Sequence, residues 1–413
     1  MRLGLEAIDA VCERLDRPER RVPAILVAGT NGKGSTAATL SAIAAAAGVR
    51  AGLYTSPHLI RVTERFRLEE KDVSEEELDV SLQRVFDEAD RAPEIPVTYF
   101  EALTAAAFVL FSDRSLDLSV LEVGMGGRFD ATNVSSPILS IVSSISLDHT
   151  AELGPTLAAI AREKAGVFRP ARPALVASTP DEARQVFRDI AAQMGAELHE
   201  MAKETSLKLR ALAAGPTQFV LETPERSYDL CTPLPGAHQA GNASLAVRAA
   251  ELLGPTFPFD SEAVARGVAK TRWPGRLERF DVQGRAVWLD GCHNPEGAAS
   301  LVEFLHRTSL RPDLIFGAMA DKDIESMVSA IAGAVEEIRL VPLSTDRAAS
   351  PQELSRRIAP WRPDARPSPS VSAALEELLS RPGEKPIIVA GSLYLVGEAR
   401  ELLIGEQARS RRA

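Results

Sequence analysis

The stretch "VAGTNGKGSTAATL", residues 27–40, decides how the rest of the chain is read. It approaches the phosphate-binding pattern G-x-x-x-x-G-K-[ST], in which a hydroxyl residue directly follows the lysine. Here Gly34 stands between Lys33 and Ser35, and Val27 occupies the position of the leading glycine. The flanks say what the loop is for. "AILVA" (24–28) is a short apolar run suited to a buried parallel strand. "STAATLSAIAAAAG" (35–48) is rich in alanine, carries Leu40, Ile43 and Ala47 at helical spacing, and ends at Gly48. Strand, Gly-rich turn and helix N-terminus aim several backbone N–H groups and the positive end of a helix dipole at one point, and Lys33 adds a full charge. That is an anion site. A tight turn using glycine for positive φ would leave the lysine without a packing purpose.

Outward from this loop, strand-like and helix-like segments alternate. "RAGLY" (50–54), "LDLSVLEVG" (116–124), "PILSIVSSI" (137–145) and "RPALVAS" (172–178) read as strands. "SEEELDVSLQRVFDEAD" (74–90) and "TYFEALTAAAFVLF" (98–111) read as helices. The alternation predicts an α/β fold with a mostly parallel sheet. Residues 205–235 lose the helical period and suggest a small antiparallel insertion. Helical pattern returns over 238–253 and 261–270. "TRWPGRLERFDVQGR" (271–285) combines Pro, Gly and charge and reads as a linker. A fresh alternation then begins with "AVWLDG", "DLIFGAM", "EIRLVPL" and "KPIIVAG". The expected organisation is a nucleotide-binding domain over 1–272, a linker over 273–285 and a smaller Rossmann-like α/β domain over 286–413.

Bulk properties narrow the class. A chain of 413 residues, 45% hydrophobic and 25% charged, fits two or three globular domains. Its net charge of −10 argues against a general nucleic-acid binder, so anionic ligands must be held by local groups. The amphipathic start "MRLGLEAIDAVCERLD" is not a signal peptide, and the longest apolar runs are too short for a membrane span. Cys12, Cys231 and Cys292 are scattered without metal spacing, which suits a reducing cytoplasm.

Four further motifs carry chemistry. In "LEVGMGGRFDATN" (121–133), Glu122 falls near a strand's C-terminal end, where open α/β sheets bind ligands. Glu122 and Asp130 offer hard oxygen ligands for a phosphate-bound Mg²⁺, or are simply solvated acids of a Gly-rich turn. In "SLDHTAELG" (146–154), His149 is a metal ligand, a base or a satisfied loop histidine. In "TLAAIAREKAGVF" (156–168), Lys164 falls on the apolar stripe, where the pattern alone favours a snorkelling stem over a special site. In "WPGRLE" (273–278) and "LDGCHNP" (289–295), Arg276 sits in a Pro–Gly turn suited to a phosphate. Asp290 and His293 suit ribose and phosphate contacts, with helix capping by Asn294 as the plain alternative.

Taken in order, "GTNGKGS", "YTSPHL", "TYFEALT", "LEVGMGGRFDATN", "LDHTAELGPTLAAIAREKAG", "PGRLE", "DGCHNP", "GAMADKD" and "AGSLYLVGEA" resemble the folylpolyglutamate synthase and dihydrofolate synthase family of the Mur-ligase superfamily. The joint set is specific and spans residues 3–400; the glycine after Lys33 is then the Mur-type variant of the loop. The resemblance implies a P-loop central domain and an ATP-dependent amide ligase. ATP would phosphorylate the carboxylate of dihydropteroate or a reduced folate, and the amine of L-glutamate would attack the acyl phosphate. By matching position, Asn31, Gly32, Lys33, Gly34 and Ser35 would cradle the phosphates. Asn242 would lie near adenine, with Arg276 and Asp290 as further nucleotide contacts. Ser56, Glu122 and His149 would hold Mg²⁺, expected as two ions, and Lys164 would be the family's carbamylated lysine. His293 is added near the phosphates or the incoming glutamate. Phe100, Glu101, Phe129, Asp130 and Ala131 match segments lining the pterin site of bifunctional members.

The resemblance further implies a cytoplasmic monomer acting on small molecules, with no nucleic-acid or membrane partner. One departure concerns the start: family members carry residues ahead of "LGLE", whereas here Leu3 opens that segment at once. The expectation is a more open pteroate pocket or a start lying upstream. A monofunctional folylpolyglutamate synthase and another Mur-type amide ligase are the alternatives. A cell-wall Mur ligase is disfavoured because its UDP-binding domain would have to precede the loop. A regulatory GTPase is disfavoured by the lack of an N-K-x-D motif. A catalytically dead sensor predicts loss of Lys33, Ser56, Glu122, His149, Lys164 or Arg276, and all are present.

Overall fold

The computed structural model describes residues 4–211 and 214–410, and Leu3 lies outside them. By internal contacts the chain divides into two units. The first comprises 1–210, 218–233 and 239–272, and the second 211–217, 234–238 and 273–413.

The first unit is built on eight strands: β1 (Ala24–Ala28), β2 (Ala51–Tyr54), β3 (Phe66–Leu68), β4 (Lys71–Asp72), β5 (Leu118–Glu122), β6 (Pro137–Val142), β7 (Pro173–Val176) and β8 (Glu197–Glu200). They order as β4-β3-β2-β5-β1-β6-β7-β8. All neighbours run parallel except β3 and β4, which turn back antiparallel on the β2 edge. β1 and β5 are buried at every residue, as central parallel strands covered on both faces must be. Helices therefore flank the sheet. Ser74 and Thr98 each begin one, closing reciprocal hydrogen bonds with Glu77 and Glu101. The helix Lys33–Ala46 is almost uniformly buried and small-sided, so a second helix approaches closely: a Cβ on Gly267 would lie 2.4 Å from Ile43 Cα. The expected insertion after residue 205 is an antiparallel sheet of β9 (Ser206–Ala211), β10 (Thr217–Glu222) and β11 (Ser227–Thr232).

The second unit carries six strands: β12 (Glu278–Val282), β13 (Arg285–Asp290), β14 (Asp313–Phe316), β15 (Ile338–Leu340), β16 (Arg366–Pro367) and β17 (Ile387–Ala390), ordered β12-β13-β17-β14-β15-β16. Only β12 is antiparallel to its neighbour. The linker expected over 273–285 is thereby shortened, because residues 278–282 form β12 and Arg285 opens β13. Gln283 (φ 51°) and Gly284 (φ 83°) form a two-residue turn with both φ positive, which suits the twist of a hairpin and joins β12 to β13. Among the described residues, no helix is long and apolar enough to cross a membrane.

Candidate active site

The geometry of the first unit follows from strand order. β2, β5, β1 and β6 are adjacent and parallel, so the loops leaving their C-terminal ends meet although they are far apart in sequence. The loop after β1 is 29–32. Gly29 (φ 145°) passes so near β6 that a Cβ would fall 1.8 Å from Ser143 Oγ. Thr30 N–H donates to Ser144 O at 2.8 Å, and Ser143 Oγ–H donates to Asn31 O at 2.7 Å, which pins the loop to the β6 end. Gly32 (φ 82°) begins the helix, and a side chain there would strike Asn242 Oδ1 at 2.3 Å. Gly34 and Ser35 lie in the first buried turn, whose N–H groups have no partner within the helix ladder. Lys33 Nζ donates to the Gly29 and Thr30 carbonyls, each at 3.1 Å.

Lys164 reaches the same place from 135 residues away, with Nζ donating to Gly29 O at 2.7 Å. Two lysine ammoniums thus share one carbonyl. Lys164 is 4% exposed, and among the described residues no carboxylate lies within ion-pair distance. Burial, then the charge of Lys33, pull its pKa down to about 7, against an opposing pull from Asp148 and Asp130. The snorkelling stem favoured by the pattern is therefore corrected: the head group itself is inside. Its helix, Leu157–Ala165, is held by the Gly-rich segment after β5. A Cβ on Gly127 would lie 2.9 Å from the carbonyls of Glu163 and Lys164, and Arg128 N–H donates to Glu163 O.

Glu122 ends β5, is 5% exposed, and accepts the Ser56 N–H at 3.1 Å. The strand register explains the meeting, since Tyr54 of β2 stands beside Leu121 of β5. His149 is more exposed and left-handed (φ 49°), and starts the short helix Thr150–Leu153. Its Nε2 lies 3.9 Å from the carboxylate of Asp148. Asp148 was not singled out in the sequence, although an acid preceding a strand-end histidine is a usable signal.

The expected pterin residues divide by role. Phe100 packs over Gly124, where a Cβ would touch its ring, and lies 6.2 Å from the Tyr54 ring. Phe129 is exposed, with the Arg128 guanidinium 4.8 Å from its centroid. Glu101 is occupied as a helix cap by Thr98 N–H. Asp130 accepts from Met125 N, Thr132 N and Thr132 Oγ1, which folds the loop around the buried Ala131. Burial pushes the Asp130 pKa up, and these hydrogen bonds oppose the shift.

In the second unit, Asp290 ends β13 and accepts from Leu277 N and Cys292 N, both at 3.1 Å. Gly291 passes so close that a Cβ would meet Arg276 Nη1 at 2.3 Å. His293 Nδ1 lies 2.9 Å from Gly291 O. Asn294 caps the helix Pro295–Thr308 through Gly297 N–H, so the plain capping alternative holds for that residue. His238, which the sequence reading passed over, feels Asp290 and Arg276, and burial lowers its pKa.

Comparison with known proteins accords with this geometry. The family description "Mur ligase middle domain" matches residues 27–250, and "Mur ligase, glutamate ligase domain" matches 275–393. The chain is 34% identical to a protein of Bacillus subtilis named dihydrofolate synthase/folylpolyglutamate synthase, over 97% of this chain and 95% of that one. It is 36% identical to a Haloferax volcanii protein named probable bifunctional folylpolyglutamate synthase/dihydropteroate synthase, but spans only 48% of that relative's length. It superposes with a TM-score of 0.87 on a bifunctional folylpolyglutamate synthase/dihydrofolate synthase from Yersinia pestis, solved with AMPPNP and a Mn ion. Identity there is 34%, covering 98% of this chain and 94% of the other. The chain belongs to the folylpolyglutamate synthase/dihydrofolate synthase family of Mur-type ligases.

Proposed function

We propose that the protein is an ATP-dependent ligase that joins L-glutamate to dihydropteroate and to reduced folates through an acyl phosphate. The observation that carries this reading is the meeting of a Gly-rich, lysine-bearing anion loop with the buried Glu122–Ser56 pair at adjacent strand ends. A carboxylate is a poor electrophile and its oxygen a poor leaving group; transfer of the γ-phosphoryl supplies a good one. Gly32, Gly34 and Ser35 present backbone donors to the phosphates beside Asn31, whose own N–H donates to Ser144 Oγ. Lys33 swings its ammonium from the loop carbonyls to the same phosphates.

Mg²⁺ would neutralise charge between the anionic reactants. Glu122, Ser56 and His149 would hold it, and the donor set fits: a buried carboxylate and a hydroxyl are hard oxygen ligands. Among the described residues no three His, Cys, Asp or Glu side chains form an all-protein cage. That suits a cation that keeps waters and substrate phosphates in its shell. Asn242 lies against the loop at Gly32 and is assigned to the base. Arg276, Asp290 and His293 remain assigned to nucleotide and glutamate contacts. Phe100 and Phe129 supply ring faces for the pterin, while Glu101 and Asp130 act by shaping its wall.

Lys164 is assigned as a carbamate. With its pKa near 7, a large share of the amine is neutral at physiological pH. Its nitrogen attacks CO₂ and releases a proton, which leaves a carboxylate-like anion and one N–H for Gly29 O. The change turns two ammoniums on one carbonyl into a cation–anion pair. The free cysteines suit a reducing compartment and so a cytoplasmic enzyme.

Phosphate release with ATP, Mg²⁺ and L-glutamate tests the assignment, comparing dihydropteroate with tetrahydrofolate. Both are expected to support turnover. Turnover with tetrahydrofolate alone would reduce the protein to a monofunctional folylpolyglutamate synthase, and turnover with neither would sink the reading.

A further inference from the structure

Arg65 is a buried cation that the chemistry above leaves unused. It stands across from Thr55 at the β2–β3 pair, where Thr55 N–H donates to Arg65 O at 2.9 Å, one residue from Ser56. Its side chain is enclosed, at 8% exposure for the residue. Nε donates to His58 Nδ1 at 2.9 Å, and Cζ lies 5.7 Å from the ring centre of Tyr99, which is itself 63% exposed. Among the described residues no carboxylate stands within ion-pair distance of the guanidinium. The adjacent Glu64 is committed elsewhere, accepting from the N–H groups of Leu59, Ile60 and Arg61.

A guanidinium cannot shed its proton to ease burial. Neutral acceptors satisfy its hydrogen bonds without balancing its charge, and an enclosed unbalanced charge is costly. The imidazole at Nε, the ring face of Tyr99 and the hydroxyl of buried Tyr54 fix the guanidinium plane. All three are neutral, so the Nη edge is a preset fork of the kind that receives a carboxylate.

We propose that Arg65 binds the carboxylate of the folyl substrate that does not react, and thereby favours glutamylated substrates over dihydropteroate. This rests on the ligase reading above. Dihydropteroate carries a single carboxylate, which must go to the reacting position beside Ser56 and Glu122. A folylglutamate carries two on the same terminal residue, one reacting and one idle. When the reacting group sits at Ser56, the idle one trails it by a short aliphatic chain, and Arg65 is the buried cation set one residue away across the strand pair. Phe100, the neighbour of Tyr99, faces the same β2 end through Tyr54, so ring and carboxylate contacts fall along one wall.

Steady-state kinetics on wild type, R65M and R65K, with each of the two pterin substrates, test this. R65M should raise KM for tetrahydrofolate on the order of tenfold more than KM for dihydropteroate, with kcat changing less than KM. R65K should recover part of the loss. A tetrahydrofolate analogue whose idle carboxylate is replaced by a carboxamide should cost the wild type as much as R65M does. It should cost R65M nothing further. Equal losses on the two substrates, a loss confined to kcat, or a wild type indifferent to the carboxamide would each overturn the inference. If R65M fails to fold by circular dichroism, the carboxamide comparison on wild type decides alone. A wild type that turns over neither pterin brings down the ligase reading and this inference with it. Turnover of both without discrimination at Arg65 brings down only the inference.

Discussion

Arg339 of the second unit and Lys164 and Arg65 of the first bury charge in opposite ways. In the second, Arg339 is among the largest fully buried side chains, and carboxylates surround it: Glu377 at 2.9 and 3.0 Å, Glu337 at 2.9 Å. Hydrogen bonds from Arg339 and then Arg381 hold the Glu377 pKa down to about 2. In the first, Lys164 ends on a carbonyl beside a second lysine, and Arg65 ends on an imidazole. A charge that is matched within the fold contributes to folding; a charge enclosed without its counterion keeps its binding energy for something that arrives later. The difference separates scaffold from site without reference to a ligand.

The sharpest way to break that contrast is at Glu122. Glu122→Ala should lower kcat by roughly 10³-fold while nucleotide affinity changes far less, because its role is assigned to the transition state rather than to ground-state binding. Calorimetric titration with a non-hydrolysable ATP analogue, set beside turnover, checks the split; an unchanged kcat removes Glu122 from the metal site.

Next in size is Lys164. Lys164→Ala should lose roughly 10²-fold in kcat, with partial rescue by formate or acetate entering the vacated space. Labelled CO₂ should give a ¹³C carbamate signal that vanishes in the variant. In CO₂-depleted buffer the sign of the stability effect is also set. The folded pKa of about 7 lies below the ordinary 10.5, so the unfolded chain holds more protons between those values. Stability should therefore rise with pH through that window in wild type, and Lys164→Met should abolish the rise. A fully active Lys164→Ala, or a rise that persists in Lys164→Met, contradicts the assignment.

The smallest expected effect lies in the second unit. Arg339→Met should cost roughly 2 kcal/mol of folding stability, because it removes charge-assisted hydrogen bonds to Glu377 and Glu337, which are left with Arg381, and leave kcat per folded molecule as it was. Denaturant melts with an activity assay on the surviving fraction would show it. A variant that melts like wild type but loses turnover would reverse the contrast.

What was legible in the sequence is what local physics writes there. Apolar runs marked β1, β2, β5, β6 and β7 of the first unit's large sheet, and helical periods marked the helices over 74–90 and 98–111, whereas the short β3, β4 and β8 gave no such signal. The hairpin at Gln283–Gly284 was missed because glutamine gives no advance sign of a positive φ, so sheet was read as linker. Glu122 was legible as a candidate because a strand's last residue is a local feature, whereas Ser56 entered only through the family resemblance. Their meeting was not legible, since it depends on β5 lying beside β2. The same holds for the buried head of Lys164, for Asp148 near it, and for Arg65. Periodicity tells which face of an element turns inward, whereas strand order decides which charges share the space it turns into, and whether any counter-charge is there to meet them.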